Sequence, residues 1–461
     1  MSSGAKHTAT LVDIGGVLDD GPFSTMQKIA VFMVATAIVM DGFDGQLIGF
    51  AIPSLIKEWG ITRGAFAPAV AAGLLGMAVG SVCAGLLADR FGRRMAVIVS
   101  VFIFGATTCT IGFAPNVVTI SALRFIAGLG IGGALPSSTT VTAEFTPARR
   151  RTLAVTATTV CYPLGGIIAG LFASAVLPVY GWRGLFWIGG LLPMGLSVLL
   201  FLMLPESPRY LARHRERWPE LRKLLGRMAR PTSPDTVFVD ASEQAAEKRA
   251  GFGSLFESGR LRDTLAIWTA FFMCLLAVYS AFSWLPTMLA GEGLPPAVAA
   301  SGLTAYNFGG VVGALMCAVV IARFGSRWPL AFCCAGAAGS AFMLQGVNVA
   351  QHTGWLIFGI GLHGLFVNAV QSTMYALCAY VYPTIVRATG TASALAFGRL
   401  GAILSSFAGA AVITAGGGSA FFIMLGLAMS CAFVALMAVG RHSPKVAANT
   451  AVRATAAASS H

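Results

Sequence analysis

Long apolar blocks recur along the whole chain, and this recurrence limits the folds that are open to it. Each block has roughly 20 residues, enough for a helix to cross a hydrocarbon layer about 30 Å thick. Only 11% of the residues are charged, against about 25% in soluble globular proteins. The pattern predicts an all-α membrane protein with twelve transmembrane helices, at residues 29–54, 66–87, 95–113, 117–141, 152–176, 184–204, 265–290, 298–322, 329–348, 354–382, 389–415 and 418–440.

The basic residues are concentrated on one side of this predicted topology. With the N-terminus inside, the cytoplasmic segments contain 26 of the 31 Lys and Arg, and the outer loops contain three. This positive-inside asymmetry predicts that both termini are cytoplasmic. No cleavable signal peptide is expected, because residues 1–26 contain no apolar core. The net charge of +13 therefore reflects topology, and no basic and aromatic surface typical of nucleic-acid binding accompanies it.

Two segments of the chain repeat each other at a constant offset, residues 80–94 and residues 313–327. A second correspondence superposes Pro147 on Pro383 and Arg151 on Arg387. Two similar six-helix halves indicate a parallel duplication, and such folds place a substrate site near the midplane between the halves. The predicted organisation is a cytoplasmic N-terminus (1–28), a first half (29–204), a cytoplasmic central loop (205–264), a second half (265–440) and a cytoplasmic tail (441–461). Within the loop, residues 215–229 are predicted to form an amphipathic helix on the membrane face.

The loop after the second span has the sequence GLLADRFGRR, residues 85–94. Its arginines alone are explained by topology, but topology requires neither an aspartate before them nor regularly placed glycines. Asp89 faces a positive helix N-terminus and can pair with an arginine across the interface between the halves, as a gate that breaks and reforms. Ala322 stands at the equivalent position of the second copy. The predicted gating residues in this loop are Gly85, Asp89, Gly92 and Arg93.

Two aspartates, Asp41 and Asp44, lie in the first apolar block, three residues apart and therefore on one helix face. A charge at this depth costs at least about 2.5–3.5 kcal/mol on insertion scales. One explanation is that both aspartates pair with arginines merely to hold the bundle together. The alternative is that burial and mutual repulsion let one carboxyl group load and release protons. We predict that Asp41 and Asp44 couple protons.

Arg124 and Arg399 are the two arginines placed at membrane depth, in the fourth and eleventh spans. Arg124 can pair with Asp41 or Asp44 as a structural cation, and such pairing is compatible with proton coupling or anion attraction. Arg124 is also predicted to help attract a substrate carboxylate. Arg399 has no acidic residue near it in its own half, so we expect its counter-ion to come from outside that half. A guanidinium holds a carboxylate bidentately, and Arg399 is predicted to bind a substrate anion.

Several weaker candidates accompany these charges. Glu144, at the inner end of the fourth span, is predicted to pair with Arg149, Arg150 or Arg151 as a static clasp or an inner gate. His363 is open between a hydrogen-bonded packing residue and a proton carrier. Neutral hydrogen bonds to a hydroxylated ligand are expected from Asn368, Gln371, Tyr306 and Asn307, and aromatic faces from Phe43, Phe397 and Trp284. No cofactor or metal site is expected, because the nine cysteines include no CxxC pair.

The motifs together resemble a known family. They are DGFD in the first span, LADRFGRR, LRFIAGLGIGG, PESPRYL after the sixth span, and VRATG with GRLG in the eleventh. The chain resembles the aromatic acid:proton symporters of the major facilitator superfamily, the group that contains bacterial 4-hydroxybenzoate and protocatechuate permeases. The resemblance implies functional roles for Asp41, Asp44, Gly85, Asp89, Gly92, Arg124, Glu144, Arg387 and Arg399.

The expected function is therefore uptake of an aromatic carboxylate with protons by alternating access, without enzymatic activity. The expected partners are a small aromatic acid, protons and the lipid bilayer. Two other functions stay open at this point: efflux of aromatic or drug-like compounds by proton antiport, and a sensor that binds aromatic acids without transporting them. Neither the ring substituents, the proton stoichiometry nor the oligomeric state follows from the sequence.

Overall fold

The structure is a computed structural model that describes residues 11–233, 236–239, 255–256, 260–347, 351–382 and 384–442. Up to the central loop its elements are β1 (Leu11–Asp13), α1 (Ile14–Asp20), α2 (Thr25–Trp59), α3 (Arg63–Phe91), α4 (Arg93–Ile111), α5 (Val117–Phe145) and α6 (Ala148–Met203). After them come α7 (Pro208–Arg213), a 3₁₀ turn (Arg215–Arg217), α8 (Trp218–Arg227), β2 (Val237–Val239), α9 (Leu261–Gly291), α10 (Pro296–Phe324), α11 (Arg327–Leu344), α12 (Thr353–Val381) and α13 (Thr384–Ala438).

Two of these helices are far too long for one crossing of a bilayer. Helix α6 has 56 residues and reverses at Gly181, whose φ of 62° lies in the region that favours glycine. Helix α13 has 55 residues and reverses at Gly416 and Gly417. Each of the two therefore crosses twice, and the ten long helices of the described chain make twelve crossings in two groups of six. The predicted twelve-helix, two-half fold class is confirmed.

The two halves repeat the same helix packing. In the first half α2 packs on α6, α3 on α5, and α4 on both α5 and α6; in the second, α9 packs on α13, α10 on α12, and α11 on both α12 and α13. Glycines bring the backbones together at equivalent places. A Cβ on Gly42 would lie 1.9 Å from the Tyr162 carbonyl oxygen, and one on Gly401 would lie 2.2 Å from that of Phe272.

A small module packs against one end of the first half. Strands β1 and β2 pair in parallel, and Ile14 and Leu18 of α1 are buried together with Leu221 and Leu225 of α8. We call this module, made of β1, α1, α7, α8 and β2, the cap, and we call its end of the bundle the cap side and the opposite end the far side. The amphipathic helix predicted at residues 215–229 is present as α8, but its predicted place on the membrane face is wrong, because its buried leucines pack in one cluster with α1, α7 and β2.

The two halves contact each other through α2 with α9, α3 with α13, and α6 with α10. Three close contacts between them lie toward the far side: a Cβ on Gly49 would be 2.2 Å from the Phe282 carbonyl oxygen, one on Gly170 would be 1.9 Å from Thr304 Oγ1, and one on Gly291 would be 2.6 Å from Arg63 Nη2.

The cap-side end of α3 is open by contrast. The Asp89 side chain is 67% exposed. A Cβ on Gly85 would meet no atom of the described residues within 4 Å. The halves are therefore closed toward the far side and open toward the cap side.

Candidate functional site

Asp41 and Asp44 lie near the middle of α2 and are fully buried, with 1% and 0% of their surface exposed. Asp41 Oδ1 and both carboxylate oxygens of Asp44 accept no hydrogen bond from the described residues. Buried polar groups in proteins are normally bonded, so unpartnered carboxylates mark a functional position. Both side chains therefore remain strong candidates for proton binding.

The two aspartates have different charged neighbours. Asp44 is near Arg124 of α5 and the Thr108 hydroxyl of α4, all within the first half. Arg124 is buried, and Gly73 of α3 makes room for it, since a Cβ there would lie 3.2 Å from the guanidinium. Of the two partners proposed for Arg124, the structure thus places Asp44 beside it. The charged neighbours of Asp41 are Asp44 and, from the second half, Arg399.

Arg399 is surrounded by tyrosines. Its Nη1 donates a hydrogen bond to the Tyr279 hydroxyl at 3.1 Å. Its other electrostatic neighbours are Tyr375 of α12, Tyr162 of α6 and Asp41. The guanidinium thus keeps donor groups available while its charge is opposed by one carboxylate from the other half. The expectation that its counter-ion comes from outside its own half agrees with this arrangement.

An aromatic wall borders the Arg399 cluster. The Phe282 ring lies 5.7 Å from that of Tyr279, 6.2 Å from Tyr162 and 5.8 Å from Tyr306. Faces and edges of this kind suit a flat aromatic ring. We use the name tyrosine cluster for Tyr162, Tyr279, Tyr375 and Arg399.

The tyrosines of this cluster, Tyr162, Tyr279 and Tyr375, were not predicted from the sequence as site residues. A usable signal existed, because a phenol hydroxyl inside an apolar span needs a polar partner. Half of the chain's eight tyrosines lie within such spans, well away from the helix ends: Tyr162, Tyr279, Tyr306 and Tyr375.

The predicted neutral binding residues are only partly brought to this cluster. Gln371 lies beside Tyr375. Asn368 donates to the Gly364 carbonyl at 2.9 Å and lies near the Tyr306 hydroxyl. The Phe43 ring packs 5.3 Å from that of Phe172, inside the first half. Roles for Asn368, Gln371 and Phe43 in binding stay predictions.

The other residues named with them have structural partners. His363 Nδ1 lies 3.0 Å from the Ala337 carbonyl oxygen and 3.2 Å from Ser340 Oγ. Phe397 stacks on Trp268 with ring centroids 3.9 Å apart. Trp284 is fully buried, and a Cβ on Gly409 would lie 2.5 Å from its ring. These contacts are consistent with packing roles.

A pair of amides joins the two halves on the far side of Asp41. Gln46 Nε2 donates to Asn307 Oδ1 at 3.2 Å, and Asn307 Nδ2 donates to Gln46 Oε1 at 2.7 Å. Both side chains are fully buried. Gly166 of α6 makes room for the pair, since a Cβ there would lie 2.4 Å from Gln46 Nε2. We call this reciprocal pair the amide latch.

A network of charges organises the cap side of the first half. Arg93 Nη2 lies 3.2 Å from Asp89 Oδ1, and Arg93 Nε lies 3.6 Å from Glu144 Oε1. The Ser207 hydroxyl, at the start of α7, also donates to Glu144. The predicted partners of Glu144 were therefore wrong, since Arg93 and Ser207 take the place of the arginines at 149–151. Asp89 pairs within its own half in this open state, and its pairing with an arginine across the interface between the halves stays a prediction.

The backbone conformation of Gly92 brings it into contact with Glu206, next to this network. Its φ of 100° and ψ of 157° form a conformation that is nearly restricted to glycine, and a Cβ there would lie 2.1 Å from Glu206 Oε2. The Glu206 carboxylate accepts hydrogen bonds from the Arg94 and Ser207 amides, at 3.1 and 2.8 Å. Burial raises the pKa of Glu206, and these amide bonds partly offset that rise. Arg387 is exposed at the start of α13 and donates from Nε to the Tyr382 carbonyl at 3.3 Å.

Comparison with known proteins extends these observations. The family model described as Major Facilitator Superfamily matches residues 34–344 and, in a second match, residues 293–460. The chain is 32% identical to the gallate transporter of Pseudomonas putida, over 95% of this chain and 98% of that protein. It is 34% identical to the 4-hydroxybenzoate transporter PcaK of Pseudomonas aeruginosa, over 90% of this chain and 93% of that protein.

Solved structures agree on the fold. The inward open conformation of the xylose transporter XylE from E. coli superposes with a TM-score of 0.70 at 18% sequence identity, covering 90% of this chain and 97% of that chain. At this identity the likeness concerns the fold alone. The helices long and apolar enough to cross a bilayer, together with the family match, indicate a multi-pass membrane protein.

Proposed function

Because the chain belongs to the Major Facilitator Superfamily, we propose that it takes up an aromatic carboxylate together with protons by alternating access. The 4-hydroxybenzoate and gallate carried by its relatives, according to their names, are the first substrates to test. The observation that carries the proposal is the tyrosine cluster, in which Tyr162 of the first half lies with Tyr279, Tyr375 and Arg399 of the second half at one aromatic-walled position, with Asp41 as a charged neighbour.

The anion site follows from the donors of this cluster. The Arg399 guanidinium and the Tyr279 hydroxyl, 3.1 Å apart, can both donate to one carboxylate. Phe282 and the neighbouring phenol rings offer an apolar surface for the aromatic ring of the substrate. The ligand thus bridges the two halves, as a transporter with its site at their interface requires.

The proton site follows from the two aspartates. With Arg124 beside Asp44 and Arg399 facing Asp41, each carboxylate has one cationic neighbour in a region of low dielectric. Binding of a second anion at Arg399 opposes the negative charge of Asp41, because like charges repel strongly in such a medium. Protonation of Asp41 removes that opposition. Proton binding and anion binding therefore favour each other.

Coupling to protons also offsets the electrical cost of taking up an anion. An anion entering a negative cell works against about 2.3 kcal/mol per 100 mV. One accompanying proton cancels the charge, and a second would allow the membrane potential to drive uptake. We place the cap side in the cytoplasm of a bacterial inner membrane, since the cap carries the basic central loop.

In this orientation the structure is open to the cytoplasm. The network of Asp89, Arg93 and Glu144 then lies at the cytoplasmic mouth, where it can serve as the inner gate, and the amide latch belongs to the closed outer side. Gly85, Gly92 and Arg387 line or support the same mouth.

The test is uptake of labelled 4-hydroxybenzoate into proteoliposomes that are alkaline inside. We expect accumulation that an uncoupler abolishes, and at most equilibration in Asp41→Asn and Asp44→Asn. Counterflow, in which internal unlabelled substrate exchanges for external label, serves as the control for folding because it needs no net proton movement. Uptake by the unaltered protein that ignores the gradient would refute the coupling, and accumulation retained by Asp44→Asn would remove that residue from the mechanism.

A further inference from the structure

We propose that the Tyr162 hydroxyl couples the proton site to the anion site, by donating its one hydrogen bond either to Asp41 or to the bound carboxylate. This inference rests on the proposed function and assigns the coupling step to a residue of α6. Tyr162 contacts either Asp41 or the ligand, and its role is distinct from the charge that Arg399 supplies.

The Tyr162 side chain lies close to the part of α2 that contains Asp41. Its hydroxyl lies over Gly45, one helical turn from Asp41, since a Cβ on Gly45 would be only 3.1 Å from that oxygen. Glycine at position 45 therefore creates the space in which the hydroxyl sits. The Tyr279 hydroxyl lies near it, and Asp41 and Arg399 are its charged neighbours.

Tyr162 lies between polar groups of the first half and polar groups of the second half. Tyr279 is bonded to Arg399 at 3.1 Å, so the order Asp41, Tyr162, Tyr279, Arg399 runs from one half into the other. Arg124, the neighbour of Asp44, is also electrostatically coupled to Tyr162. Tyr162 thus has Arg124, Arg399 and Asp41 as its electrostatic neighbours.

The contacts that Tyr162 makes with the first half are fixed, whereas those with the second half can change during transport. The α6 backbone at Tyr162 is held against α2, because Gly42 touches the Tyr162 carbonyl and Gly165 touches the Val39 carbonyl, with Cβ positions 1.9 and 2.0 Å from those oxygens. Tyr162 therefore moves with Asp41 as part of the first half. Tyr279 and Arg399 belong to the second half, so the contact between Tyr162 and Tyr279 is one that rocking of the halves alters.

These contacts define a switch. A phenol hydroxyl has one proton to donate, so ionised Asp41 and an anion on Arg399 compete for it. When Asp41 is protonated it no longer draws that hydrogen bond, and the hydroxyl turns to the carboxylate of the ligand. Protonation then strengthens anion binding, and by linkage anion binding favours protonation.

Tyr162→Phe tests the switch with little change in shape, because the ring that packs 6.2 Å from Phe282 is kept. The matched control is Tyr375→Phe, which removes a phenol hydroxyl near Arg399 from the second half. In the unaltered protein we expect the affinity for 4-hydroxybenzoate to rise about tenfold from alkaline to acidic pH, a typical size for coupling between two sites.

For Tyr162→Phe we expect that pH dependence to shrink to about threefold, the part that direct repulsion between ionised Asp41 and the anion still supplies, with gradient-driven accumulation reduced and counterflow slowed by about threefold. Tyr375→Phe should bind more weakly at every pH and keep the full pH dependence. Binding is measured by titration calorimetry on purified protein, and transport in proteoliposomes.

Three results would overturn the inference. The first is a full pH dependence of binding with full accumulation in Tyr162→Phe. The second is loss of counterflow together with accumulation, which would show that the hydroxyl is needed for carrying the substrate at all. The third is an equal loss of pH dependence in Tyr375→Phe. If the unaltered protein fails to accumulate substrate under a gradient, the proposed function itself fails and this inference fails with it.

Discussion

The two halves have the same backbone but very different charges. At the start of the third helix of each half stands a glycine with positive φ, Gly92 at 100° and Gly325 at 78°, and the packing order of the helices is the same. The charges near the midplane differ: the first half contains the buried Asp41, Asp44 and Arg124, and the second contains the half-buried Arg399.

The cap-side loops differ in the same direction. Where the first half has Asp89 and Arg93, the second has Ala322 and Ser326. The two halves therefore share the glycines with positive φ and the order of helix packing, whereas their ionisable groups differ. We interpret the first half as the proton-handling side and the second as the anion-binding side, and each prediction below tests that division.

The largest effect is expected from the two arginines at membrane depth, Arg124 and Arg399. Arg399→Gln should weaken binding of 4-hydroxybenzoate roughly 10- to 100-fold, since hydrogen bonds to charged groups contribute about 1.5–3 kcal/mol each. Arg124→Gln should reduce binding by less than about threefold while it abolishes gradient-driven accumulation. Titration calorimetry and proteoliposome uptake separate the two outcomes. Equal loss of affinity in both variants would show that anion binding is not confined to the second half.

The next effect concerns the paired glycines. Gly92→Ala and Gly325→Ala should both destabilise the protein by about 1–3 kcal/mol, because alanine is strained at these positive φ values. Gly92→Ala should be the more damaging, since its Cβ would also displace Glu206, at 2.1 Å. Thermal unfolding in detergent measures the difference. Gly85→Ala is the control and should be nearly neutral in this open state; equal damage by all three changes would contradict the comparison.

A smaller effect is expected from the amide latch, which joins one residue of each half. Replacing either Gln46 or Asn307 by Leu leaves the other amide buried without its partner, at a cost of about 1–3 kcal/mol. Replacing both should cost less than the sum of the single changes. A double-mutant cycle on thermal stability should give a coupling energy of about 1 kcal/mol. A cycle without coupling would show that the pair does not hold the far side closed.

The smallest effect is expected from His363, a neutral group of the anion-binding half. His363→Gln keeps a side-chain donor near the Ala337 carbonyl, so uptake should change by less than about twofold. Its pH profile should also stay unchanged. A displaced pH profile in proteoliposomes would assign His363 to proton handling and would extend that task into the second half.

The residues that sequence reasoning found share one property, which is that their burial costs free energy. Asp41, Asp44, Arg124 and Arg399 stand out because a charge in an apolar block is expensive and therefore demands a reason. The tyrosines were missed because a phenol is tolerated in apolar surroundings, so Tyr162 and Tyr279 resemble ordinary packing residues until their hydroxyls are seen together. The partner of Glu144 was wrong because neighbours in sequence were preferred to Arg93, which only the fold brings near.

The cap was also beyond reach of the sequence. The amphipathic pattern of α8 shows that one face must be covered, but it does not distinguish lipid from protein. Ile14 and Leu18 cover that face from more than 190 residues away along the chain, and the pairing of Leu11 with Val237 holds them there.

The number of crossings, the duplication and the buried charges were determined by the sequence alone, because each depends on the free energy of transferring a local stretch of chain into hydrocarbon. The pairings across the halves were decided only by the tertiary structure. Gln46 meets Asn307 across 261 residues, and Arg399 meets Tyr279 across 120. Such contacts depend on how two helices are rotated against each other, and the glycines that allow the close approach of those helices act only once both surfaces are in place.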